Sequence, residues 1–168
     1  MLAESIPYSP GFGLKQLAWV LHAAFIGAII APICFIGGPT VARAAWCSAG
    51  IFGGLSAIAV CSPSREFLTW TSPLGMLLGV VFTSTITGLF ITPITAVGST
   101  LYFFSLYGGL LLYSGLLLYD TQLILDAAEN NSDEDDDPIN NSMEIFMDIL
   151  NIFVKVFEIL ASQGLGSD

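Results

Sequence analysis

The sequence predicts an all-α fold: a polytopic membrane helical bundle of four full spans, with a shorter polar-striped C-terminal helix inserted in the bundle. Three observations predict it. Hydrophobic residues make up 54% of the chain and charged residues only 11%, where a soluble domain carries roughly 25% charged residues, and the mean hydropathy is +0.77. Four apolar segments are each long enough to cross the hydrocarbon at about 1.5 Å per residue. Charge is also segregated: 12 of the 14 acidic residues lie from Asp120 onward, and no Asp, Glu, Lys or Arg occurs between Glu66 and Asp120. The net charge of −10 therefore belongs to the C-terminal third, and four Lys and Arg residues cannot supply the basic footprint of a nucleic-acid binder.

Met1–Gln16 reads as a short polar approach, broken by Pro7, Pro10, Gly11 and Gly13, with no basic start that would mark a signal or transit peptide. A single membrane bundle is expected over 17–168. The first span is Leu17–Ile36, 20 residues without Asp, Glu, Lys or Arg. It holds Pro32 near its end and His22, the only histidine, which reads as a polar contact. Gly37-Gly38-Pro39-Thr40 reads as a turn. The second span, Val41–Val60, carries Arg43 near its start and a Gly50-x-x-x-Gly54 motif. The third, Pro73–Thr92, carries Gly75-x-x-x-Gly79. Small residues at that spacing let helix backbones approach closely, so these four glycines are expected to mark packing faces. Thr83, Ser84, Thr85 and Thr87 are candidates for a polar path, or for bonds to carbonyls of their own helix. Cys34, Cys47 and Cys61 have neither zinc-site nor disulfide spacing and read as small buried hydrophobes.

The fourth span, Gly98–Tyr119, is expected to continue as helix past Asp120 towards Ala128. An ionisable residue at the end of a long uncharged run is by default a functional-site candidate. Tyr113 lies two turns before Asp120 on the same face. An acidic loop, 129–141, follows; it lacks the spacing of a calcium-binding helix–loop–helix loop. Met143–Leu160 is apolar apart from a stripe that begins just before it: Asn141, Glu144, Asp148, Asn151, Lys155 and Glu158 recur every three or four positions and form one polar face. Such a helix either lies in the interface or turns its stripe towards a cavity in the bundle; the basic polar face usual for the first is missing. If Asp120 and Asp148 face each other, both cannot be charged cheaply in a low dielectric, so they would share a proton and form a cation site once it leaves. Calcium is favoured as the ion because it takes oxygen ligands. Tyr113, Glu144, Asn151 and Lys155 are possible supporting residues, although Lys155 is two turns from Asp148 and too distant to pair with it directly.

The stretches Ile36-Gly-Gly-Pro39, Arg43-Ala-Ala-Trp46 and Ala49-Gly-Ile-Phe-Gly-Gly-Leu-Ser56 resemble the transmembrane Bax inhibitor motif family. So do Tyr107-Gly-Gly, Leu118-Tyr119-Asp120-Thr-Gln122, Asp137-Pro-Ile-Asn140 and Met147-Asp148-Ile-Leu-Asn151-Ile-Phe. The resemblance runs from Ser5 to about Ala161 and is nearest to a mitochondrial inner-membrane branch. It implies a helical bundle with a pH-sensitive calcium leak or calcium–proton exchange, and roles in cristae organisation and inhibition of apoptosis. The family's paired aspartates carry over to Asp120 and Asp148. Because family members have further helices before the point where Ser5-Ile-Pro-Tyr8 begins to match, the chain is expected to correspond to the C-terminal part of a longer protein.

No enzymatic activity and no cofactor are expected, and the partners implied are the bilayer, calcium, protons and inner-membrane proteins. Three other readings fit less of the chain. Tyr119-Asp120 matches the first half of an intramembrane aspartyl protease, but no Gly-x-Gly precedes Asp148. A serine protease using Ser56 and His22 would rest on a weak motif in a glycine-rich helix. A non-transporting membrane scaffold needs neither aspartate.

Overall fold

The computed structural model describes residues 13–62, 65–92, 94–129 and 138–164, and among these it contains helices and no strands. Helix α1 runs Leu14–Cys61, and a 3₁₀ turn, Phe67–Trp70, leads into α2, Thr71–Gly88. Helix α3, Ala96–Phe103, passes through a π-helical turn, Phe104–Gly108, into α4, Gly109–Glu129; α5 is Pro138–Gly164. Four stretches are long and apolar enough to span a membrane: Leu14–Phe35, Gly37–Cys61, Phe67–Gly88 and Ala96–Glu129.

The first two of these are arms of one helix. The expected turn at residues 37–40 is a break confined to Gly38, whose φ of 48° and ψ of −130° leave helical geometry while the residues on either side keep it. A φ of that sign is open to glycine at little cost. Pro39 then sits at the first position of the second arm, where a missing N–H removes no helical bond. Gly37 is kept small by its neighbours: a Cβ there would stand 2.8 Å from a ring carbon of Phe157 on α5.

Boundaries elsewhere shift by a few residues. Helix α1 opens at Leu14, so residues 14–16 of the expected polar approach are helical, and residues 1–12 of that stretch lie outside the described residues. Helix α2 ends at Gly88, short of Thr92, and Thr95 caps α3 by accepting a hydrogen bond from the Gly98 N–H at 3.0 Å. Of the expected acidic loop, residues 130–137 lie outside the described residues, Glu129 closes α4 and Pro138 opens α5. That early start makes α5 27 residues long, more than the expected Met143–Leu160 and more than α2.

Helix α4 is the centre of the bundle. On one side its Leu117 joins Ala44 of α1 and Ile152 and Val156 of α5 in a buried cluster. On the other its Leu112 packs with Leu74 and Val81 of α2. Gly115 lets α2 approach: a Cβ there would stand 2.7 Å from Cδ2 of Leu74. The first arm of α1 presents Leu17, Leu21, Phe25 and Ile29 outward, as expected of a surface solvated by acyl chains rather than water.

The glycine motifs do not act as expected. A Cβ at Gly50, Gly54, Gly75 or Gly79 would meet nothing within 4 Å, so none of the four packs a helix among the described residues. A Gly-x-x-x-Gly spacing makes a face able to accept a close neighbour; it does not supply one. The three cysteines are likewise free and exposed rather than buried. In a membrane span an outward cysteine is as apolar as its lipid surroundings require.

Gly98→Ala places a methyl group against the backbone carbonyl of Thr92, which cannot move aside without deforming the α2–α3 turn. Thermal unfolding in detergent is expected to show a loss of about 1–3 kcal/mol for this variant. Gly54→Ala, made into open space, is expected to be neutral or to gain up to about 1 kcal/mol from better helix propensity.

Candidate functional site

The candidate site lies along the seam between α4 and α5. The sequence brings α5 into the bundle because Asp148, Ile152 and Val156 follow one another at intervals of four and so share a face, and all three are buried. Two of them are apolar core residues packed around Leu117. The third is an acid on the same buried face, 5% exposed.

Asp148 faces Asp120 of α4 closely enough for the two carboxyl groups to interact directly. Ionised carboxylates only accept hydrogen bonds, so a bond between the two forms only when one of them carries a proton. One oxygen of Asp148, Oδ2, is fully buried and has no hydrogen-bond partner among the described residues. The site thus places two carboxyl groups side by side and leaves one acceptor of Asp148 without a partner among the described residues.

Tyr113 and Glu144 adjoin the pair, each close enough to interact electrostatically with Asp148. Tyr113 also packs on the Leu117–Ile152 cluster. Asn151 lies one turn beyond Asp148 on the same seam. Lys155 is separate, as the spacing predicted: its Nζ donates to Glu158 Oε2 at 2.9 Å, and its stem lies on Gly109 of α4. Asp120, Asp148, Tyr113 and Glu144 are therefore brought together, and Lys155 forms a second polar station with Glu158.

No group of three or more His, Cys, Asp or Glu side chains that could enclose a metal occurs among the described residues. Asp120 and Asp148 offer a cation two carboxyl groups. Calcium takes about six to eight oxygens, so water or main-chain carbonyls would complete its shell.

The threonines of α2 largely bond to their own helix: Thr83 Oγ1 donates to the Gly79 carbonyl at 2.7 Å and Thr85 Oγ1 to that of Val81 at 2.8 Å. Thr85 also meets Ser105 Oγ, on the π-helical turn, at 2.8 Å. They do not line the seam occupied by the aspartates.

Sequence reasoning missed the cluster that closes one end of α4. Gln122 is 5% exposed; its Oε1 accepts from the Phe67 N–H at 2.9 Å, and its Nε2 donates to the Ala59 carbonyl at 3.5 Å. One side chain thereby ties the end of α1 and the following 3₁₀ turn to α4. Beside it Arg65 forms ion pairs with Asp126 and with Glu129, the latter at 3.2 Å. The available signal was Gln122 itself, a polar residue two positions after Asp120 in an otherwise apolar stretch.

Helices of spanning length around a buried carboxyl pair define an integral membrane protein of the polytopic α-helical class. The family model described as "Inhibitor of apoptosis-promoting Bax1" matches residues 2–164, and the chain belongs to that family. It is 47% identical over 165 residues to growth hormone-inducible transmembrane protein of Rattus norvegicus, a match that covers 96% of this chain and 48% of that protein. The chain spans about half the length of the curated relative it matches. No solved structure matches it.

Gln122→Leu removes the partners of the Phe67 N–H and the Ala59 carbonyl together, and is expected to lower stability by about 1–3 kcal/mol in detergent unfolding. Arg65→Ala, at an ion pair whose arginine is half exposed, is expected to cost less than about 1 kcal/mol.

Proposed function

We propose that the chain carries the cation-handling part of a pH-sensitive calcium leak or calcium–proton exchanger, with Asp120 and Asp148 as the ion and proton site. The observation that carries this reading is the meeting of two carboxyl groups between α4 and α5, with Asp148 buried and its Oδ2 without a hydrogen-bond partner among the described residues. While the shared proton is present the carboxyls hold each other and α4 and α5 stay joined. When it leaves, two like charges face each other in a low dielectric, a state that a divalent cation relieves. Proton and calcium therefore compete for one site. Leak results if the ion passes through freely, exchange if the proton must return first. No catalytic step is involved.

Family membership supports the further proposals that the protein acts in inhibition of apoptosis and that it sits in the mitochondrial inner membrane, with a part in cristae organisation. These concern the whole protein, of which the relative is about twice as long as this chain.

Purified protein in calcium-dye-loaded proteoliposomes tests the reading. Calcium flux is expected to rise as pH is raised through the titration of the pair, because the deprotonated site is the one that accepts the ion. Asp148→Asn and Asp120→Asn each remove a charge that the cation needs, and each is expected to lower flux about tenfold or more and to flatten its pH dependence, a tenfold change being about 1.4 kcal/mol. Flux unchanged by both substitutions would reject the paired-aspartate site.

A further inference from the structure

Lys155 is partly covered in the seam, its ammonium pairs with Glu158 rather than with the aspartate pair, and the proposed cation site does not use it. Its surroundings are specific. The Lys155 stem lies against Gly109, where a Cβ would stand 3.0 Å from Cε and 3.4 Å from Cδ. Gly109 is the first residue of α4 after the π-helical turn Phe104–Gly108, well inside the 34-residue spanning stretch Ala96–Glu129. Turns of this kind change the register of a helix and recur at functional sites. The ammonium is held by Glu158, with side-chain exposures of 17% for Lys155 and 40% for Glu158, and Tyr102 of α3 lies within electrostatic reach of Glu158. An ion pair at membrane depth is costly and is retained where it acts on what passes.

The order of groups along the seam gives it a direction. Asp126 and Glu129 stand at one end of α4, and the Asp120–Asp148 pair comes next. Tyr113 and Asn151 follow, and then Lys155, seven residues beyond Asp148 on α5 and about 10 Å along its axis. A cation moving inward from that end passes the Arg65 ion pairs of Asp126 and Glu129, then the aspartate pair, and meets the Lys155 ammonium beyond it.

We propose that Lys155 is the cation barrier of the seam: its ammonium, seated on Gly109 and partly neutralised by Glu158, repels a cation leaving the aspartate pair and so sets the rate of passage. The inference rests on the paired-aspartate reading and adds the residue that limits it. Charge is the operative property. Lys155→Gln therefore opens the seam, Lys155→Arg keeps it closed, and Glu158→Gln, which strips the ammonium of its counter-charge, closes it further.

The test is calcium flux in the same proteoliposomes for the parent, Lys155→Gln, Lys155→Arg, Glu158→Gln and the double variant Lys155→Gln/Asp148→Asn, each first shown to be helical and monodisperse in detergent. The expected result is a several-fold rise for Lys155→Gln that the double variant abolishes, parent-like flux for Lys155→Arg and reduced flux for Glu158→Gln. A rise in Lys155→Gln over a silent parent would support the barrier equally. Asp148-dependent flux in the parent with no rise in Lys155→Gln would overturn the barrier and leave the aspartate site standing. An equal rise in Lys155→Arg would overturn it too, since loosened packing rather than lost charge would be responsible. No flux in any variant would overturn both readings.

Discussion

The approach of Asp120 to Asp148 is the constraint on which the arrangement of α4 and α5 turns. Two carboxylates cannot both stay charged at close range in a low dielectric without a large cost, so where α5 docks and how the pair is protonated are linked. Helix α5 is amphipathic enough to lie at a membrane surface. Inside the bundle, its apolar face meets the core that α1 and α4 present, and its one deeply buried acid meets the acid on α4. The site and the docking of the last helix are thus a single interaction. Any event that changes the charge of the pair acts on both.

The rest of the bundle shows the same economy with polar groups. Within hydrocarbon each one must find a partner inside the protein. Thr83 and Thr85 use the carbonyls of their own helix, Gln122 uses two main-chain groups released where α1 ends, and Lys155 uses Glu158. Four buried polar atoms have no hydrogen-bond partner among the described residues, His22 Nε2, Ser48 Oγ, Asn140 Oδ1 and Asp148 Oδ2, and only the last belongs to a carboxyl group that can ionise and receive a cation. A cation supplies what the surrounding helices withhold.

Much of this was legible in the sequence. Charge-free length gave the spans, the three- and four-residue recurrence gave the polar stripe of α5, and an acid after a long uncharged run singled out Asp120. Asp148 could be paired with it as the acid on the polar stripe of the next apolar helix, and because the family resemblance pairs an aspartate in each of the last two helices. Tertiary placement was not legible. The glycine motifs at Gly50–Gly54 and Gly75–Gly79 describe what a face permits, while the glycines that admit neighbours are Gly37, Gly109 and Gly115, which carry no such periodic signature. Gln122 escaped notice for the same reason: its partners are main-chain groups on another element, and no sequence spacing encodes them. The π-helical turn before Gly109 was equally hidden, since Phe104-Ser-Leu-Tyr-Gly108 reads as ordinary span.

The locality of the site bears on what this chain can do. Asp120, Tyr113, Gly109, Glu144, Asp148, Lys155 and Glu158 all come from α4 and α5, which follow one another in the chain and pack together, with Gly109 and Asp148 buried between them. The second arm of α1 contributes Ala44 to the cluster behind them, and α2 braces the opposite side of α4 through Leu74 and Val81. The geometry of the carboxyl pair is therefore specified by elements the chain contains. Passage of an ion is more demanding, because it needs a continuous polar route on both sides of the pair. On the proposed reading that route would run between the acidic end of α4 and Lys155, and the charge at Lys155 would then decide whether the pair is a closed contact or part of a path.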